Sequence, residues 1–345
     1  MTHSTTTAPP LDAAPRLPEP RGPMSDAVIT MLARDPSYGW AVESPARESD
    51  PFGDDLHLAL HLCYELHYQG FADVHPDWEW DPRLIGLRGG MERAFLEALR
   101  EHVPGGDDVD HVLEELLTEP PGAGAVPRHL RRTGEWWQLR EYVAHRSIYH
   151  LKEADPHAWV VPRLRGRAKA ALVAVEFDEF GGGRAERMHS RLFADLMEEV
   201  GLDPSYGAYV DDAPAPMLAI TNMMSMFGLH RALRGALVGH FAAAEITTAP
   251  SARRFARALR HLGVGERGVR FYTEHVEADA VHEQVLRHDV VGGLLESEPG
   301  LAADVVLGVQ ATALLEDRFE DHVLGCWRAD PPRTSLRRWL VSQNG

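Results

Sequence analysis

The stretch Phe271-Tyr-Thr-Glu-His275-Val-Glu-Ala-Asp279-Ala-Val-His282-Glu-Gln-Val-Leu286 sets three potential metal ligands at helical spacing among apolar residues. Positions four and three apart share one face of an α-helix, so His275, Asp279 and His282 form a stripe. Phe271, Ala278 and Leu286 flank it at the same period, which aims two imidazoles and a carboxylate at a helical core. A buried carboxylate is costly unless an ion pair, hydrogen bonds or a bound cation satisfy it. Taken alone, the motif is equally readable as a solvated polar face or a structural His–Asp pair, so the rest of the chain has to decide.

Outward from this stretch the helical period persists. Asp54 to Phe71 repeats Leu58, Leu62, Glu65, Leu66 and Gln69, with Asp54 and Asp55 at the electropositive helix start. Glu65, with His61 one turn before it, reads as the polar edge of an interior helix. Pro82 to His102 carries Leu84, Leu87, Met91, Phe95 and Leu99 on one face; shorter helices are expected over Ser25 to Arg34, capped by Ser25, and over Asp110 to Leu117. Next come four helices whose apolar stripes each include a ligand type. Gly134 to Glu153 ends its face on Glu153 before Asp155-Pro156, and Pro162 to Phe180 ends on Glu179 before three glycines. Arg184 to Val200 begins its stripe with His189. Ala215 to Thr247, interrupted at Gly228 and Gly235, sets Leu233, Leu237, Phe241 and Glu245 four apart, and Thr247, Thr248 and Pro250 are expected to close it. Ser251 to Leu262 reads as a separate helix with a solvated Arg-rich face, and Pro299 to Arg328 as the last helix. With no β alternation and no solenoid repeat, the fold class is all-α. The expected organisation is a disordered tail (1–24), an N-terminal helical layer (25–118), a Pro/Gly-rich linker (119–133), a helical bundle (134–328) and a C-terminal tail (329–345).

Composition narrows the function. The 345 residues carry a formal charge of −17, which argues against nucleic acid or an anionic membrane as the main partner and favours a small-molecule substrate or a protein. Cys63 and Cys326 are too few for a disulfide framework or a thiolate metal cluster, and they fit a reducing cytoplasm. Met1 to Pro23 has no apolar segment, so neither a signal peptide nor a membrane span is expected there. Oxygen and imidazole donors without thiolate suit iron or manganese, and two such ions need about six protein ligands. Glu153, Glu179, His189, His275, Asp279 and His282 make that number, and Glu245 adds a seventh. Glu176 lies one turn from Glu179 on a similar face, and the residues alone leave open which of the two ligates.

Four pieces of the sequence resemble the haem-oxygenase-like diiron oxidases, in particular the actinobacterial iron-containing redox enzymes. They are Leu151-Lys-Glu153-Ala-Asp-Pro-His-Ala-Trp159, Glu176-Phe-Asp-Glu179-Phe-Gly-Gly-Gly-Arg184 with His189, Glu245 late in its helix, and His275-x3-Asp279-x2-His282. The resemblance implies a haem-oxygenase-like multi-helix bundle carrying an additional N-terminal layer, which is expected to serve dimerisation or substrate access. It implies two non-haem iron ions held by Glu153, Glu179, His189, His275, Asp279 and His282. Glu245 matches a carboxylate that in some members joins the coordination shell when oxygen binds, and so counts as catalytic as well as ligating. The implied activity is oxidation of an amine, amino acid or fatty acid by dioxygen (N-oxygenation, desaturation or carbon–carbon cleavage), with an external electron donor and a place in natural-product biosynthesis. A metal-free acid–base enzyme of the same fold and a non-catalytic helical interaction protein are the competing readings.

Overall fold

The computed structural model describes residues 14–37, 50–118 and 124–340, with the side chains of 277–281 also outside the description. The expected disorder of residues 1–13, the start of the linker at 119–123, the last five residues and the side chain of Asp279 therefore lie outside the described residues. The elements are α1 (Pro23–Leu32), α2 (Asp54–Glu65), α3 (Pro82–His102), α4 (Val109–Leu117), α5 (Ala125–Thr133), α6 (Trp136–His150), α7 (Asp155–Ala158), α8 (Gly166–Glu179), α9 (His189–Glu199), α10 (Ala215–Leu229), α11 (Arg234–His261), α12 (Glu266–Gln284), α13 (Gly292–Ser297) and α14 (Ala302–Trp327), and no strand occurs among the described residues. The fold is an all-α bundle, as the periodicity predicts. Among the described residues no helix is long and apolar enough to cross a membrane.

Helix α11 is the axis of the bundle. It packs on α12 along one side and α14 along another, with α5 and α10 also against it. The α11–α14 crossing is backbone on backbone: a Cβ on Gly239 would meet Val305 O at 2.0 Å, and one on Gly308 would meet Ala236 O at 2.0 Å. Such closeness needs glycine on both helices. In turn α12 packs on α9, and α8 lies against a π-helical segment, Val285–Val291, that continues α12 beyond His282. The N-terminal layer docks through α2, which packs on α1 and α10. The two acids that open α2 cap other helices: Asp55 accepts from Met24 N and Ser25 N at 2.9 and 2.8 Å at the start of α1, and Asp54 accepts from Ala215 N at 2.7 Å at the start of α10.

Several expectations are corrected. Ser25 does not precede α1; the helix begins after Gly22, and Ser25 sits inside its first turn with Oγ accepting from Arg21 N and Gly22 N. Residues 14–22, expected to be disordered, pack on the bundle, with Ala72 N donating to Pro15 O at 2.7 Å and Arg21 reaching Val210 O. Much of the expected linker is helix α5, with Val126, Pro127 and Leu130 buried. Pro250 does not close α11, which runs through it to His261, so 251–262 is not a separate helix; it is amphipathic as expected, with Phe255, Ala256 and Leu259 buried and Arg253, Arg257 and Arg260 exposed. Thr247 Oγ1 and Thr248 Oγ1 donate back to Ala243 O and Ala244 O at 2.9 and 2.7 Å, so both hydroxyls bond within the helix rather than ending it. Likewise α8 and α9 start later than their patterns, at Gly166 and His189.

The core also holds neutral imidazoles. Burial pushes His57 down to about 3 and His240 down to about 4. An imidazole in the unfolded chain titrates near ~6.5. Between those values the unfolded chain binds protons that the folded chain refuses, so stability falls as pH drops from about 6.5 toward about 4, by up to about 1.4 kcal/mol per pH unit for each such group. Melting curves across that range test this: the non-titrating His57→Gln should lose less Tm on acidification than the parent chain.

Candidate metal centre

The six predicted ligands whose side chains are described come together in the interior. Glu153, Glu179, His189 and His275 form one group with ligating atoms all within 4.8 Å of one another, and Glu179, Glu245 and His282 form a second. Every member is buried. Glu179 belongs to both groups and faces each with a different oxygen: Oε2 lies 2.7 Å from His189 Nδ1, and Oε1 lies 3.7 Å from His282 Nδ1. Between Glu176 and Glu179, geometry selects Glu179 for this convergence.

Local structure explains how each side chain arrives. Glu179 is the last residue of α8 and His189 the first of α9, so the tight Gly181-Gly182-Gly183 connection, all at positive φ, folds one back beside the other. His275 and His282 come from α12, and Glu245 comes from the middle of α11. Glu153 departs from expectation: α6 ends at His150, and the carboxylate is delivered by the turn at residues 151–154 before α7.

Around the ligands, further groups fix which nitrogen faces inward. His275 Nδ1 donates to Phe271 O at 2.7 Å, which leaves Nε2 toward Glu153 Oε1 at 3.6 Å. His282 Nε2 donates to Asp178 Oδ2 at 3.2 Å, which turns Nδ1 toward Glu245 Oε2, also at 3.2 Å. His150 Nδ1 donates to Glu153 Oε2 at 2.9 Å. Sequence reasoning missed His150 and Asp178. Asp178 lies beside Glu179 inside a quoted motif but acts across the bundle on His282, and His150 lies just before another and meets Glu153 only because the helix ends between them, so neither leaves a period of its own.

The electrostatics are those of a site with too many buried acids for its cations. Burial opposes a charge on Glu153, but His150 and His275 outweigh it and hold that carboxyl well below the usual range. Burial pushes Glu245 up, and the neighbouring Glu179 adds to this against the hydrogen bond from His282. Glu176 is pushed up to about 9 by burial and then by the charges of Glu179 and Glu245, and neither of its oxygens has a hydrogen-bond partner. His282 is raised to about 9: burial works against its charge, and Glu245 with Asp178 overcomes that. Glu179 Oε1 and His189 Nδ1 are buried without a hydrogen bond even though they lie among polar atoms. Converging donors that point at one another but do not bond are what a shared cation resolves. The carboxylate and imidazole donor set fits iron or manganese, and Glu179 is the member common to both groups.

A family model described as iron-containing redox enzyme matches residues 140–317, just over half of the chain. The chain belongs to the iron-containing redox enzyme family. It is therefore an oxidative enzyme by family, and all six described ligand candidates fall inside the matched region. The chain is also 26% identical over 166 residues to a nitrosourea synthase from Streptomyces achromogenes subsp. streptozoticus. The alignment covers 48% of this chain and 35% of that relative, so the relative extends well beyond the region the two share.

Proposed function

We propose that this family member is a non-haem diiron oxygenase that uses dioxygen to oxidise a small amine or amino acid at nitrogen. The observation that carries the reading is the sharing of Glu179 between two buried groups of ligands. Bound there, two ferrous ions would supply the electrons for dioxygen reduction that no side chain can provide. Glu153, His189 and His275 would hold one ion and Glu245 and His282 the other, with Glu179 common to both and Asp279 a further candidate from α12. Glu245 is the ligand to which the family resemblance gives a catalytic role as well. Phe271 O and Asp178 keep His275 and His282 turned the right way. Glu176 stands one helical turn from Glu179, and before any ion binds, burial and the charges of Glu179 and Glu245 push its carboxyl up to about 9.

An amine is favoured over a fatty acid because the relative is named for forming a nitrosourea, which is chemistry at nitrogen. We also propose an external electron donor as a partner. Oxygen uptake by the iron-loaded protein, measured against amino acids, guanidines, simple amines and fatty acids, tests this. Amine-dependent uptake with an N-oxidised product is expected; uptake only with fatty acids would overturn the substrate class.

A further inference from the structure

Glu153 reaches the centre from a turn, so its position depends on what fixes residues 151–154. Its neighbour Lys152 points the other way. Lys152 Nζ lies 2.8 Å from Glu65 Oε2 on α2, and the two side chains are 2% and 1% exposed. The other oxygen of Glu65 accepts from Tyr206 Oη at 2.6 Å, on the connection between α9 and α10, and Lys152 Nζ stands 4.4 Å from the centre of the Tyr68 ring. The N-terminal layer, the ligand turn and the α9–α10 connection thus meet on one buried charge pair. Glu65 and Tyr68 lie outside the region matched by the family, which begins at residue 140.

We propose that Glu65, Lys152 and Tyr206 are positioning residues for the iron centre, through which the N-terminal layer holds Glu153 in place. This rests on the diiron reading above. A buried ion pair brings little net stability, because desolvating both charges offsets their attraction, but it is directional and punishes displacement of either partner. One peptide unit separates Lys152 from Glu153, so pinning the lysine on one side of the turn restricts the carboxylate on the other. Glu153 belongs to one ligand group and not to the other, so the effect falls on one of the two ions. The same contacts give the N-terminal layer a role that the sequence reading of Glu65 as a polar edge did not include.

The test is anaerobic ferrous titration of the full chain, of Glu65→Gln and of the double variant Glu65→Leu/Lys152→Met, each paired with a melting curve and with hydrogen exchange over residues 151–158 of the metal-free protein. Glu65→Gln strands the lysine charge; it should weaken one of two binding steps by about tenfold or more, as loss of a ligand's supporting partner does, leave the other step within about twofold, and speed exchange in the turn. The double variant removes the stranded charge, so it should recover Tm while the weakened step stays weak. Should Glu65→Gln fail to fold, the double variant decides alone. Wild-type affinity at both steps in the double variant would overturn the proposal, since the pair would then act through stability only. A parent chain that takes up no iron would overturn the diiron reading and this inference with it, a result distinct from normal uptake by parent and variants alike.

Discussion

Glu179→Gln is expected to lose both iron ions from a protein that still folds. Glutamine keeps the shape of the side chain but offers a single neutral oxygen, while the carboxylate faces His189 with one oxygen and His282 with the other. Changing a group that merely supports a metal ligand costs roughly 10- to 100-fold in affinity, so loss of a ligand common to two ions should weaken each step by more than about 100-fold. The metal-free protein should change little, because the repulsion of Glu179 on Glu176 and Glu245 is relieved while its attraction for His189 and His282 is lost. Glu153→Gln and Glu245→Gln, each in one ligand group, should lose one step and keep the other. Iron content after anaerobic loading and desalting reads all three. Two ions retained by Glu179→Gln would refute the shared role.

The largest expected loss of stability comes from a glycine with no chemistry. Gly239→Val inserts a branched side chain where even a Cβ would lie 2.0 Å from Val305 O, a backbone atom that moves only if α14 moves. Overpacking a core costs about 1–3 kcal/mol and occasionally more; with a backbone carbonyl as the obstacle, about 3 kcal/mol or more is expected, a Tm lower by several degrees. Because α11 also carries Glu245, iron affinity should fall with it. Gly325→Ala in α14 is the control: nothing lies within 4 Å of its Cβ, and alanine should hold stability or raise it by up to about 1 kcal/mol. Equal melting of Gly239→Val and the parent chain would mean that the two helices are not in backbone contact.

What was legible in the sequence follows from what periodicity encodes. Glu179, Glu245, His275 and His282 each occupy a position where a helix face should be apolar, and all four sit in the buried centre. A ligand on an inward stripe is readable because the stripe is. The spacing of Glu153 continues the α6 stripe and predicts an inward carboxylate, but the helix stops at His150 and a turn brings it inward instead. Pro250 with Thr247 and Thr248 reads locally as a stop, yet both hydroxyls bond back within the helix and α11 continues to His261. The docking of α5, the caps supplied by Asp54 and Asp55, and the reach of Asp178 to His282 and of Glu65 to Lys152 depend on which helices become neighbours, and no local pattern states that.

Loading the purified chain with ferrous iron under anaerobic conditions, and counting the ions retained per chain, tests the central claim most directly. The arrangement of two buried ligand groups around Glu179 predicts two ions, bound in two distinguishable steps, and an optical change on admission of oxygen that needs both. Failure to take up iron, or a single step untouched by Glu179→Gln, would contradict it.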